Sequence, residues 1–523
     1  MPVIVNCWTN NEIAKGMYRT VGRLVVAGLL LMSLIGCHGG TPWGEESAFG
    51  SYVSELDTLS MHHTYDSLMR ADTSHWKAVI AVKEHYQKTR QSFWFDRSGI
   101  SSDAELLVEV LRRELSRHGL DTTAFGIPQI ATDLRVVQQL AFDSIGQSIN
   151  VVLPRLDYQL SRAFVLYTVG QRYGFIRPDK LLNHFNYREE QQAYAQLFDY
   201  AIQHPDYQEA INQLTNDDRI EFLEESHPSG ALYERLLDRL EKANSREEKR
   251  RLAVNIERCR WQMAHPQMDG RMVLVNLPAQ QLWAIGADSI FSMRICCGAV
   301  NHNTPLLRSE LSYMQVNPDW LIPLNIVKSD FLRHEGDSAW FARHRYYIVD
   351  RSSGDTLDVK NVTADEMKSG KLRIGQKGGA GNSLGRIVFR FKNKFDIYLH
   401  DTNMRWAFNN ERRTVSHGCV RVEKPFELAC FLMGNTDEWT LDRLRISMDM
   451  KPQSERGLTY LTEHSDSPRP FRLMTYQAIT PRVPLYIIYY TIYPNPETGI
   501  LETWPDVYGY DKLIIRELHS LID

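Results

Sequence analysis

The residues in this chain best suited to covalent chemistry are a cysteine behind a glycine and a histidine at the end of an alternating run. His400 closes Ile397-Tyr398-Leu399-His400, and Cys419 lies within Ser416-His417-Gly418-Cys419-Val420-Arg421-Val422. A thiol becomes a working nucleophile when a base takes its proton, a carbonyl has room to approach, and donors receive the oxyanion. His400 can be that base, and the near-neutral pKa of an ordinary imidazole suits taking a proton and returning it. Gly418 lets the backbone come close to a substrate, and the amide of Cys419 can point at the carbonyl oxygen. Strand alternation puts Tyr398 on the face of His400, as a pocket residue. Zinc held by His400, His417 and Cys419 would lack a fourth ligand and regular spacing. No metal and no cofactor is therefore expected.

The surroundings sharpen this. The glycine-bearing run Gly381-Asn382-Ser383-Leu384-Gly385-Arg386-Ile387-Val388-Phe389-Arg390-Phe391 precedes the histidine strand, which precedes the Ser-His-Gly-Cys motif. In that order they resemble the catalytic domain of bacterial L,D-transpeptidases, with His400 and Cys419 at the positions of the family's base and nucleophile. The resemblance implies an acyltransferase acting on peptidoglycan stem peptides as donor and acceptor. Cys419 would attack the carbonyl of the third residue, expel the terminal D-Ala, and pass the acyl group to a side-chain amine as a 3→3 cross-link in cell-wall remodelling. Alternatives are an L,D-carboxypeptidase or cysteine peptidase using the same pair with water, or a wall-binding lipoprotein that keeps the fold without the chemistry.

Supporting roles are expected around the pair. Ser416 orients His400 through its hydroxyl, and His417 positions rather than acts as base. Arg421 holds a substrate carboxylate or makes an internal salt bridge. Asn382 supports the active-site turn or serves the turn alone.

These residues must be positioned by a long chain. Its 60 basic and 64 acidic residues, formally −4, form no polycationic footprint, so no nucleic-acid partner is expected. At 523 residues it has room for more than one core. Arg19 and Arg23 precede an apolar run, Leu24 to Ile35, that is short for a membrane span but right for a signal peptide. Leu34-Ile35-Gly36-Cys37 resembles a lipoprotein cleavage box. Residues 1–36 read as signal peptide, Cys37 as the lipidated residue, and the protein as exported and membrane-anchored in the periplasm. Met17 is a second candidate start. Cys259, Cys296, Cys297 and Cys430 accompany Cys419. Cys430 shares a core-like stripe with Phe426, Ala429 and Met433, and pairing of Cys259 with Cys296 or Cys297 stays open.

The expected fold is α+β: a helical scaffold domain, then a mainly β catalytic domain with an inserted capping segment. Residues 37–76 read as a tether. Residues 77–268 read as the scaffold, with helices over Lys77–Arg90, Asp103–His118 and Asp157–Tyr173 and a leucine stripe from Leu232 to Leu240. The stretches Phe93 to Gly99 and Asp157 to Pro178 resemble the scaffold domain of the large L,D-transpeptidases. Ser245 opens a helix to Trp261 with capping-box spacing. The catalytic domain spans 269–450, its cap about 324–375 holding Trp340, Phe341, Tyr346 and Tyr347. Residues 451–523 read as an extension packing on it.

Overall fold

The computed structural model describes residues 52 and 54–522, apart from 97–98, 184–195, 264–269 and 469–470. The signal peptide and Cys37 lie outside the described residues.

The scaffold is built on one long buried helix. Helix α1 (Thr58–Ala71), α2 (Lys77–Thr89), α3 (Ser102–Arg117) and α4 (Ile127–Gln138) surround α5 (Ile149–Tyr173). Helix α5 is buried along most of its length, as a helix at the centre of a core must be. It begins well before the expected Asp157, despite Pro154. Proline has no N–H for the carbonyl four residues back, and that carbonyl, of Asn150, instead accepts the Thr64 hydroxyl at 3.0 Å. The partner is α1, inside the stretch expected to be a tether. That expectation fails because Asp57 caps α1 and Tyr65 is buried, donating to Asp157 at 2.9 Å.

Asp157 is the scaffold's polar centre. Its carboxylate accepts the hydroxyls of Tyr65 and Tyr86 and the amides of Phe93 and Trp94, at 2.6–2.9 Å. Helices α6 (Arg219–Glu225), α7 (Ala231–Lys242) and α8 (Arg246–Arg260) complete the layer. The leucine stripe of α7 is buried, and Ser245 caps α8 by accepting from the Glu248 amide.

The β part is a sheet closed on itself. Strand β1 (Phe198–Asp199) comes from the scaffold region; β2 (Met272–Asn276), β3 (Gln281–Ile285), β4 (Ile290–Gly298) and β5 (Leu306–Val316) follow. Strands β6 (Trp320–Leu321), β7 (Tyr346–Asp350), β8 (Thr356–Leu357) and β9 (Leu372–Gln376) form a separate small sheet in the order β8-β7-β9-β6. Then come β10 (Ile387–Phe391), β11 (Leu399–His400), β12 (Thr414–Ser416), β13 (Val420–Val422), helix α9 (Pro425–Met433), β14 (Tyr476–Ile488) and helix α10 (Tyr510–Ile522). The ladder runs β10-β11-β13-β4-β3-β2-β14-β5, and β5 pairs back to β10. Closure leaves no open edge on this path.

Three expectations change here. Strand β14 is no peripheral extension: it lies parallel to β2 and antiparallel to β5, with Val483, Leu485 and Ile487 in the core. Without it the ring opens. The capping segment starts at Trp320 rather than 324 and has its own core of Ile326, Phe331, Phe341, Ile348 and Ile374 among others. On α9 the buried residues are Pro425, Leu428, Ala429 and Leu432, whereas Cys430 is half-buried, so its stripe faces partly outward.

Scaffold and ring share one core. Strand β1 pairs with β5, Arg258 on α8 meets Asp511 on α10 at 2.6 Å, and Asn255 bonds Thr491. Cys259, Cys296 and Cys297 are free buried thiols.

Asp157→Ala should leave the amides of Phe93 and Trp94 without an acceptor and the hydroxyls of Tyr65 and Tyr86 with only Ser92 and Ser161 as side-chain partners, each unmet donor costing about 1–3 kcal/mol. We expect a loss of about 3 kcal/mol or more, read as a lower urea midpoint of the helical circular-dichroism signal. A midpoint unchanged from the parent would show that α1 and α2 are held by apolar packing alone.

Candidate active site

The site stands on two short parallel strands. Leu399 pairs with Val420 and His400 with Arg421, and the Val420 amide donates to the Tyr398 carbonyl at 3.1 Å. Leu399 and Val420 are buried in the ring's core. Side chains alternate along a strand, so Tyr398, His400, Cys419 and Arg421 occupy the opposite face together. The Tyr398 ring meets the His400 ring edge-on at 5.7 Å and lies under the Arg390 guanidinium at 4.3 Å. Its hydroxyl hydrogen-bonds the Cys419 thiol and the Trp320 indole of the capping segment. Among the described residues no hydrogen bond links Cys419 to His400.

His400 is buried, its Nδ1 on the Asp401 carbonyl, and the Leu384 carbonyl also bonds the ring. Burial first, then the Arg421 charge, pushes its pKa down to about 3. Burial also pushes the Cys419 thiol up to about 11, against hydrogen bonds from Tyr398 and the charges of Arg390 and Arg421. The near-neutral histidine expected from its residue type is therefore not what the fold makes. A low dielectric disfavours both charged forms, so thiol and imidazole rest neutral at neutral pH.

Asn382 is buried and folds the glycine-bearing loop. Its Nδ2 donates to the carbonyls of Gln376 and Lys377, and its Oδ1 accepts from the Leu384 amide at 2.8 Å. It thereby presents the Leu384 carbonyl to His400. Gly385 (φ +65°) packs where a Cβ would lie 2.4 Å from the Asp401 side chain, and Asp401 accepts the Arg386 amide at 2.8 Å. The loop is clamped to the residue after the histidine.

Ser416 does not touch His400, contrary to expectation. Its hydroxyl donates to the Cys419 carbonyl at 2.5 Å and accepts from the Gly418 amide at 3.2 Å, tightening the turn that carries the thiol. Gly418 has φ +111° with no contact under 3.6 Å at a Cβ position, so conformation rather than crowding calls for glycine. Thr304 donates to its carbonyl at 2.8 Å, and Thr304 is held in turn by the Tyr508 hydroxyl. His417 is exposed and stacks on His302 at 4.9 Å, away from His400.

Arg421 has no carboxylate partner among the described residues. One guanidinium nitrogen donates to the Met404 sulfur at 3.6 Å, and the buried Nε has no acceptor. Among the described residues the internal salt bridge is absent. The sequence reading missed Trp320, Arg390, Leu384, Thr304 and Tyr508 as parts of the site. Leu384 and Arg390 lie inside the glycine-bearing run that resembles the family, which is the signal that could have found them.

Residues 270–439 match the family described as the L,D-transpeptidase catalytic domain, and residues 80–240 match the scaffold domain. A Haemophilus influenzae protein named "Putative L,D-transpeptidase" is 27% identical over 360 residues, covering 66% of this chain and 68% of its own length.

With the Cys419 pKa near 11, alkylation by iodoacetamide should climb about tenfold per pH unit from 7 towards 10, because the thiolate is the reactive form. Mass spectrometry of the Cys419 peptide reads the rate. A plateau already at pH 7–8 would mean a preformed thiolate–imidazolium pair.

Proposed function

Because the chain belongs to the scaffold-bearing L,D-transpeptidases, we propose that it forms 3→3 cross-links between peptidoglycan stem peptides through a thioester on Cys419. The observation that carries this reading is the shared face of β11 and β13, where thiol, imidazole, phenol and guanidinium meet.

Both groups of the pair start neutral, so His400 works as a general base during attack rather than by storing a thiolate. With Nδ1 on the Asp401 carbonyl, Nε2 is the nitrogen for the thiol proton. The carbonyls of Asp401 and Leu384 favour the imidazolium that forms. Sulfur bonds to the donor's third-residue carbonyl carbon, and the oxyanion meets the Cys419 amide, which donates to no other acceptor among the described residues. The imidazolium returns its proton to the departing D-Ala nitrogen as the peptide bond breaks. An acceptor amine then attacks the thioester, giving its proton to His400, and the thiol leaves with that proton.

Arg421 is the group we assign to a carboxylate of the stem peptide. A half-buried guanidinium with an unmet Nε and no acid partner among the described residues is suited to an anion supplied by substrate. Tyr398 and Trp320 join the capping segment to the pocket, which makes that segment a lid. At the other end, Cys37 would carry the lipid that holds the enzyme in the cell envelope. No helix among the described residues is long and apolar enough to cross a membrane.

Muropeptide analysis tests the assignment. Parent protein with purified tetrapeptide donors should yield 3→3 dimers, and Cys419→Ala none. His400→Ala should lose about 10²–10⁴ in rate, while exposed His417→Ala stays within about tenfold of the parent, a cost nearer that of a positioning residue. Release of D-Ala without dimers would instead mark a carboxypeptidase, with water as acceptor.

Arg421→Gln should raise the KM for a donor bearing its free carboxylates by about tenfold or more, the order expected for a lost charge-assisted hydrogen bond. Amidation of the recognised carboxylate should abolish the difference between variant and parent. Equal discrimination by both proteins would remove Arg421 from substrate binding.

A further inference from the structure

Far from the reactive pair, four donors converge where α3, α5 and the turn after α6 meet. Glu114 and His118 are one helical turn apart at the end of α3, Tyr167 projects from α5, and His227 follows α6. Glu114 Oε2 lies 3.9 Å from His118 Nδ1 and 4.0 Å from His227 Nε2. The Tyr167 hydroxyl is 2.8 Å from His227 Nε2 and 3.4 Å from His118 Nδ1. The donor atoms of Glu114, His118 and His227 all fall within 4.8 Å of one another. Four ligands held tetrahedrally at about 2.1 Å from an ion stand about 3.4 Å apart, and the observed separations bracket that spacing.

A second observation points to a ligand. Glu114 is 5% exposed, and among the described residues its Oε2 accepts no hydrogen bond, although Oε1 takes Arg113 at 2.8 Å. A carboxylate oxygen buried without a donor is costly unless something cationic meets it. We propose that Glu114, His118, Tyr167 and His227 form a structural zinc site in the scaffold.

The donor set selects the ion. Two imidazoles with oxygen ligands suit zinc and exclude the harder calcium and magnesium, which take oxygen throughout. Four protein ligands leave no open position, so the site is a clamp between α3, α5 and the turn after α6, not a second reaction centre. His118 Nδ1 now faces the Glu114 carbonyl at 2.6 Å, and Nε2 faces the Tyr233 hydroxyl at 2.6 Å. Metal binding moves the His118 ring proton to Nε2 and releases the Tyr167 hydroxyl proton to solvent, so that the phenolate is the fourth ligand. Tyr233 accepts from the Nε2 proton and donates onward to Gln171 at 3.3 Å, as an outer partner of a metal-bound histidine does.

The test uses the full-length chain carrying Cys419→Ala, so that this thiol cannot hold the ion. Protein stripped with EDTA, given zinc chloride and desalted should retain one zinc per chain by elemental mass spectrometry. Its Tm should rise by several degrees. Glu114→Gln and His227→Ala, with circular dichroism confirming their folding, should retain little zinc and lose the Tm shift. X-ray absorption of the zinc-loaded Cys419→Ala chain, with the four proposed ligands intact, should show only nitrogen and oxygen neighbours. Retention far below one zinc per chain, variants that bind as well as the parent, or a sulfur shell at about 2.3 Å would each overturn the site.

Discussion

The parallel pairing of β11 with β13 is the constraint on which the rest depends, because it converts two distant sequence motifs into one surface. With Leu399 opposite Val420 and His400 opposite Arg421, the period of two sends the apolar pair inward and the four polar groups outward. A slip of one residue would bury Cys419 in the core and leave Leu399 where His400 belongs. The register is guarded on both sides. Strand β10 holds β11 through Val388 and Phe389, and β4 holds β13 through Ile295 and Cys296. Asp401, clamped against Gly385, prevents the histidine strand from sliding.

That arrangement sets the electrostatic character of the site. Wedging a thiol and an imidazole among Tyr398, Arg390 and the capping segment removes water from both, and neutral forms follow. The arginines favour a thiolate but disfavour an imidazolium, so they do not stabilise an ion pair. Two backbone carbonyls on the His400 ring work the other way, favouring the cation at the moment a proton arrives. Thiol and imidazole are thus both held in their neutral, less reactive forms at rest.

Closure of the ring ties the site to the far end of the chain. Strand β14 completes the ladder, and the segment after it returns Tyr508 to Thr304 and so to the carbonyl of Gly418. Helix α10 then packs on α8, where Arg258 and Asp511 pair in a buried position. A buried pair of this kind adds little net stability but penalises any arrangement that separates its members. Scaffold, ring and nucleophile turn are therefore coupled by packing, although their residues are hundreds of positions apart.

Much of this was legible in the order of residues. Helical stripes such as Leu232 to Leu240, the alternation of Ile397 to His400, and the glycine, histidine and cysteine motifs are local patterns that can be read without the fold. The α+β class, the two-part organisation and the candidate pair follow from them. Tertiary structure decided what local pattern cannot carry. It made α1 a buried helix, because Asp157 and the orphaned Asn150 carbonyl lie about ninety residues further along the chain. It turned Ser416 from His400 to the Cys419 carbonyl, left Arg421 without an acid among the described residues, and drew β14 into the ring's interior. It also set the protonation of Cys419 and His400, since a pKa depends on the water and charges around a group rather than on its identity. Spacing along the chain specifies which groups are available; only closure of the sheet specifies which of them meet.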